Sequence, residues 1–233
     1  MSGPGLPGGP RIGAEVWIDG LSKRFGLHEV FHELTLRIAA GERICLRAPS
    51  GGGKTTLLRI LMGLERPDAG RVTGARPGRI SVMFQEDRLS DPLTPVENVA
   101  LLHPGRRVSR RGIAAELAQI LPARSLHQPV VELSGGMRRR VALACALLFP
   151  SDLVLLDEPF TGLDAATKRE VIDFLLARLG GRTLVAATHG DEDAELLGAR
   201  TVQLAGAAGS AAESAAGSAT GFAAEGIARG LTL

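Results

Sequence analysis

Apolar and polar residues alternate along residues 15–19 (Glu-Val-Trp-Ile-Asp) and 33–38 (Glu-Leu-Thr-Leu-Arg-Ile). That period of two predicts half-buried strands, so the chain opens β-rich over about 14–47. Residues 42–47 (Glu-Arg-Ile-Cys-Leu-Arg) read as a third strand, entered through a turn at Gly41. Behind residues 48–56 the pattern changes: Leu57-Leu-Arg-Ile-Leu-Met62 is apolar on a helical period, with an end expected near Pro67 and a turn at Asp68-Ala-Gly70. Residues 79–84 predict another strand, ending at Gln85.

From about 91 to 149 the pattern is helical. Thr94 stands as N-cap before Pro95, a residue tolerated in the first turn. Residues 109–121 form a second, arginine-rich helix with Ile113, Leu117, Ile120 and Leu121 on one face. A third helix follows Leu133-Ser-Gly-Gly136; its interior from Val141 to Phe149 is apolar all round, which predicts burial, and Pro150 ends it. Leu153-Val-Leu-Leu156 is a continuous apolar run, the mark of a parallel strand covered on both faces. A helix over 165–179, a strand over 183–188, a short acidic helix over 191–197 and a strand over 200–204 complete the pattern. Residues 1–13 read as a disordered lead-in without an apolar region. Residues 205–233 read as an Ala/Gly/Ser-rich, largely disordered tail. The expected architecture is α/β: a mainly parallel sheet, an N-terminal antiparallel β-subdomain and an inserted helical subdomain, together spanning 14–204.

Composition narrows the class only slightly. The 233 residues are 45% hydrophobic and 22% charged, ordinary for a globular chain. Twenty-seven basic against 25 acidic residues leave a net charge of +2, so nothing marks a nucleic-acid binder. The longest apolar run, 141–149, is about half of what a membrane span needs. Cys45 and Cys145 lack metal-ligand spacing and sit in apolar stretches, which predicts buried, inert thiols.

The chemistry concentrates in Ala48-Pro49-Ser50-Gly51-Gly52-Gly53-Lys54-Thr55-Thr56, placed between a strand and a helix. Glycines without Cβ atoms let several backbone N–H groups face one anion, and the following helix adds the positive end of its dipole. Lys54 is placed to reach β- and γ-phosphates, and the Thr55 hydroxyl to ligate Mg²⁺. The usual first glycine of this loop is replaced by Ala48, a substitution costing roughly 1 kcal/mol or more if the position needs positive φ.

Ligands of parallel sheets bind beyond the carboxyl ends of the strands. Four predicted strands end on groups suited to a nucleoside triphosphate: the glycine loop, Gln85, Asp157-Glu158 and His189. Asp157 closes an apolar strand, where an acid is costly without a cation, and Mg²⁺ answers that cost. Glu158 beside it is the candidate general base for an attacking water. His189 and Gln85 are candidates to contact the γ-phosphate, the metal or the water. Ser134, Gly135 and Gly136 open a helix and form a second anion-binding terminus.

Glycine loop, Gln85, Leu133-Ser-Gly-Gly136, Leu155-Leu-Asp157-Glu158-Pro159, Gly162-Leu163-Asp164 and His189, in this order, resemble the ATP-binding subunit of an ABC transporter. The resemblance implies a P-loop ATPase whose active unit is a head-to-tail dimer, formed with a second copy or a homologous subunit, holding two ATP and Mg²⁺. It implies that Ser134, Gly135 and Gly136 close over ATP held by the partner, with Asp164 at the interface. It also implies that Phe25 stacks on adenine, in place of the more usual tyrosine, and that Met137 replaces the usual glutamine of the signature. Residues beyond Gln85 are then the contact with a transmembrane permease, which places the chain on the cytoplasmic face of the membrane. The stretch 85–100 is similar to importers of nitrate, sulfonate and taurine, which work with a solute-binding protein. Two other readings stay open. A soluble ABC ATPase acting on ribosomes or DNA usually carries two cassettes, a coiled-coil insertion or a basic surface, none visible here. A regulatory or decayed subunit is suggested by Ala48, Met137 and the tail.

Overall fold

In a computed structural model of the chain, the described residues are 12–103, 109–190, 192–204 and the backbone of 212–213. The expectations for 1–11 and for nearly all of 205–233 therefore lie outside them. The N-terminal region is a three-stranded antiparallel sheet of β1 (Val16–Phe25), β2 (His28–Ile38) and, further along the chain, β4 (Ala69–Thr73), in the order β2-β1-β4. Between β2 and β4 run β3 (Arg43–Arg47), the glycine loop and α1 (Lys54–Leu61). Next come β5 (Ile80–Met83), the helices α2 (Pro95–Leu101), α3 (Arg110–Leu117) and α4 (Gly135–Leu148), and β6 (Leu153–Asp157). The chain continues through α5 (Ala165–Leu179), β7 (Thr183–Ala187), the short α6 (Asp193–Leu196), β8 (Arg200–Gln203) and a two-residue β9 (Ala212–Glu213).

The second sheet has the order β5-β6-β7-β3-β8-β9 and is parallel except for β9. Four neighbouring strands, β5, β6, β7 and β3, thus end side by side on one edge, and each leads into a candidate segment. The continuous apolar runs are explained by cover on both faces. Leu153 and Leu155 of β6 pack with Ile44, Leu46 and Val185 into the core shared with α1 and the antiparallel sheet. Val154 and Leu156 point the other way, into the core built with α4 and α5.

Several boundaries differ from the sequence pattern. Residues 23–25 continue β1, and the connection to β2 is a tight hairpin at Gly26-Leu27, with Gly26 at φ +59°. Of the expected turn Asp68-Ala-Gly70, Ala69 and Gly70 instead begin β4; that strand has one half-buried apolar residue, Val72, so periodicity does not reveal it. Gly70, within that strand, takes φ +78°, and a Cβ there would lie 2.3 Å from the carbonyl oxygen of Gly20, so both backbone and space require glycine. The helix after the glycine loop stops at Leu61, where Gly63 takes φ +74°. The arginine-rich helix stops at Leu117, although Ile120 and Leu121 remain buried. Thr94 caps α2 in a full capping box with Glu97. Cys45 is buried as expected, whereas Cys145 is half-buried and lines a cleft beside Phe149; desolvation pushes both thiols up to about 12, which keeps them protonated.

Candidate functional site

The glycine loop is shaped by what its residues cannot carry. Gly53 caps α1 in the left-handed region at φ +88°, and a Cβ there would lie 2.6 Å from the ring of Phe31, which β2 buries beneath the loop. Gly51 is also left-handed, at φ +77°. Gly52 is excluded from carrying a side chain by its neighbour: a Cβ would lie 2.6 Å from the Cβ of Ala48. Ala48 itself is not among the positive-φ residues, so the cost of alanine in a left-handed position does not arise. Its methyl packs, half-buried, against the core that holds Leu57 and Leu58. No side chain caps α1, and its first N–H groups have no intrahelical acceptors, so they are oriented toward whatever occupies the loop.

Lys54 is buried, and its Nζ donates to the carbonyl of Ala48 at 3.0 Å, folding the side chain back along the loop. Thr55 Oγ1 donates to Asp157 Oδ2 at 2.9 Å. His189 Nε2 lies 3.4 Å from Lys54 Nζ and 3.0 Å from Glu158 Oε1. The approach to Lys54 Nζ is a hydrogen bond of that nitrogen, whereas the contact with Glu158 is an ion-pair distance that leaves the buried Glu158 Oε1 without a hydrogen-bond partner among the described residues. Glu158 adopts φ +52°, a strained position for a residue with a side chain, with its N–H on the carbonyl of Ala187.

Ser50 to Thr56, Gln85, Asp157, Glu158, Thr161 and His189 line one cleft of about 350 Å³. The structure therefore brings together the strand-end groups singled out from the sequence. Thr161 was not among them; its Oγ1 is 3.5 Å from Glu158 Oε2. A second omission is Arg139, a buried arginine whose guanidinium donates to the carbonyls of Gln85, Asp157 and Glu158. It stands within a run of three arginines, and nothing in spacing separates it from its neighbours.

Burial raises the carboxyl groups of Asp157 and Glu158 above the ordinary range. Thr55, Arg139 and Lys54 oppose this at Asp157, as His189 and Lys54 do at Glu158. Asp157, only 4% exposed, would gain from a cation, and the hydroxyl of Thr55 beside it supplies a second hard oxygen. This donor set fits Mg²⁺, which keeps water and phosphate oxygens in its shell and needs few protein ligands.

Phe25, Pro49, Ser134, Gly135, Gly136 and Asp164 are not part of the cleft lining. Phe25 closes β1 with about half its surface exposed (48%), and Lys23 Nζ stands 4.8 Å from its ring centroid. Lys23 is in turn held by Glu65 at 2.8 Å and by the carbonyl of Arg66 at 2.9 Å. Ser134 caps α4, accepting from the N–H of Met137 at 3.3 Å, and Gly135 beside it is exposed. Asp164 caps α5 through the N–H groups of Ala166 and Thr167, and the Thr167 bonds hold its carboxyl below the ordinary range. These two helix starts adjoin one another: a Cβ on Gly136 would stand 3.5 Å from the side chain of Leu163. They form a second patch of exposed N-termini, separate from the cleft.

A family model described as ABC transporter matches residues 31–161. The aliphatic sulfonates import ATP-binding protein of Frankia casuarinae is 42% identical over 195 residues, covering 82% of this chain and 63% of that protein. The sulfate/thiosulfate import ATP-binding protein of Bordetella pertussis is 40% identical over 197 residues, covering 76% and 55%. A sulfonate import protein of Nocardia farcinica is 41% identical, covering 81% and 77%. The chain thus spans 63% and 55% of the first two relatives' lengths. A solved dimeric ATP-binding cassette in a post-hydrolysis state with ADP and Pi superposes with a TM-score of 0.71 at 29% identity, covering 81% of this chain and 94% of that one.

The contact between positions 48 and 52 gives a direct test of the loop's packing. Gly52→Ala is expected to destabilise the chain by about 1–3 kcal/mol, and by less in an Ala48→Gly background, where the nearest clashing methyl is gone. Urea unfolding of the four members of the cycle measures it; equal costs in both backgrounds would contradict the packing described.

Proposed function

The chain belongs to the ABC transporter family, and from that premise we propose that it is the ATP-hydrolysing subunit driving transport through a separate permease. The observation that carries this reading is the single cleft in which the glycine loop, Gln85, Asp157, Glu158 and His189 meet. The triphosphate lies along residues 49–56, its charge met by backbone N–H groups, by the dipole of α1 and by Lys54. Thr55, Asp157 and Gln85 would hold Mg²⁺, which would supply neutralisation of charge on the phosphates. Glu158 accepts a proton from the attacking water, and burial, by raising its proton affinity, suits it to that task. His189 orients Glu158 through the 3.0 Å contact and reaches the γ-phosphate. The protein's share is positioning and charge stabilisation, with no covalent intermediate. Phe25 supplies the stacking face for adenine.

The second patch supports the rest of the reading. Ser134, Gly135 and Gly136 open α4 and lie outside the lining of this protomer's own cleft; the first N–H groups of a helix lack intrahelical acceptors, which suits them to the γ-phosphate held by another protomer. Asp164 then lies at that interface, beside the partner's glycine loop. The active unit is a head-to-tail dimer with a second copy or a homologous subunit. No helix among the described residues is long and apolar enough to cross a membrane, so the path for the solute is assigned to the permease. A cleft lined by Phe84, Asp87, Arg88, Leu89, Leu101 and Leu102 follows Gln85 and offers that partner a docking groove on the cytoplasmic face. The relatives' names, aliphatic sulfonates and sulfate/thiosulfate import, support the sulfur-containing part of an assignment to a small anionic or organosulfur/nitrogen solute; its nitrogen-containing part and delivery by a solute-binding protein rest on the resemblance of residues 85–100 alone.

Glu158→Gln is expected to keep ATP binding and cut hydrolysis by about 10²-fold or more. The variant accumulates as an ATP-bound dimer on gel filtration; a profile showing only monomer with ATP and Mg²⁺ would contradict the role. Phe25→Ala is expected to weaken ATP binding by about 1–3 kcal/mol while leaving the polyphosphate contacts intact. Titration with a fluorescent ATP analogue measures this, and an unchanged affinity would place the adenine elsewhere.

A further inference from the structure

Arg139 lies one turn into α4, the helix that Ser134 opens, and it is 7% exposed. One arm of its guanidinium, Nη1, donates to the carbonyls of Gln85 at 2.5 Å and Phe84 at 3.3 Å, and stands 3.4 Å from Asp87 Oδ1. The other arm, Nη2, donates to the carbonyl of Asp157 at 2.8 Å and to that of Glu158. One buried cation thus gathers backbone oxygens from two separate segments. Arg138 beside it reinforces the grip, pairing with Asp91 at 2.9 Å and standing 3.7 Å from Asp87.

The strands do not need this contact to stay together. The ladder between β5 and β6 runs from Ile80↔Leu153 to Met83↔Leu156, and Arg139 takes hold beyond its last rung. What it orders is the stretch where the ladder has ended and the chemistry begins. Glu158 shows the effect most clearly: its N–H is fixed on Ala187 of β7, its C=O on Arg139 of α4, and φ between them is +52°. Only arginine, with a planar fork of five donors, serves both segments at once. A charge with this many acceptors and so little exposure is costly to build, and that cost is offset by the hydrogen bonds it makes.

We propose that Arg139 is a positioning residue that holds Gln85 and Glu158 in hydrolytic register and ties both to the helix carrying the Ser134–Gly136 loop. A shift of that loop toward the partner's nucleotide is transmitted by α4 to the backbone of this protomer's own Glu158. The inference rests on the ATPase reading above and adds a residue to which the relatives' names and the family match assign nothing.

The test uses the purified full chain, measuring steady-state hydrolysis and, separately, calorimetric binding of a non-hydrolysable ATP analogue. Arg139→Met is expected to lower kcat by about tenfold or more, as loss of register does, with analogue affinity within about twofold of the wild type. Arg139→Lys keeps the charge but not the fork and is expected to fall between the two in kcat, again with affinity held. An unchanged kcat in Arg139→Met, or a kcat loss matched by an equal loss of affinity, overturns the proposal. If Arg139→Met does not fold, the split in Arg139→Lys decides by the same criteria, and wild-type values for both constants overturn it. Absence of hydrolysis by the wild-type chain would instead remove the ATPase reading itself, a result distinguishable because it needs no variant.

Discussion

Parallel pairing of β5, β6, β7 and β3 is the constraint on which the rest depends. Neighbouring strands in a sheet lie about 4.8 Å apart, so four carboxyl ends in a row bring the loops that follow them to one edge of the sheet, within about 14 Å. Gln85, Asp157-Glu158, His189 and the glycine loop all follow from those ends. Because both faces of the sheet are covered, the strands are mostly apolar, and the polar side chains buried in them, Ser81 of β5 and Thr183 of β7, are hydrogen-bonded to Ser151 and to the carbonyl of Ala14. The charged groups gather at the edge, where loops and solvent can accommodate them.

That concentration brings a cost. Two carboxyl groups, a lysine and an arginine are wholly or largely buried within the same few residues, and burial raises the proton affinity of both acids. The arrangement is held by partners drawn from every layer: Thr55 from α1, His189 from the end of β7, Arg139 from α4. A site of this kind is built with charge to spare for an anion and a divalent cation. The strain at Glu158 sits at the same point, as expected where geometry is set by surrounding contacts and not by local preference.

Much of this was legible in the sequence because it rests on periodicity and on short motifs. Helix α5 has the bounds that its apolar pattern predicts, and Thr94 caps α2 as its place before Pro95 implies. Gln85, Asp157, Glu158 and His189 were recognisable because each follows an apolar run, and that is where the sheet places them. What the pattern hides is long-range. β4 has a single half-buried apolar residue and is defined by pairing with β1, which lies some fifty residues earlier. Arg139 is indistinguishable from Arg138 and Arg140 until the carbonyls of Gln85 and Glu158 come into reach. Ala48 is the converse case: its departure from the usual glycine looked costly, yet its backbone does not adopt positive φ and its methyl fills a gap left by Gly52.

The central claim is that each cleft is completed by the second patch of another protomer, and mixing two inactive variants tests it most directly. Lys54→Ala removes the phosphate cradle of its own cleft, and Ser134→Arg blocks the cleft of its partner. Each alone is expected to hydrolyse ATP poorly. Mixed dimers contain one cleft with both halves intact, so activity is predicted to rise above the sum of the separate proteins. A mixture that shows only that sum would contradict completion of the site by a second copy.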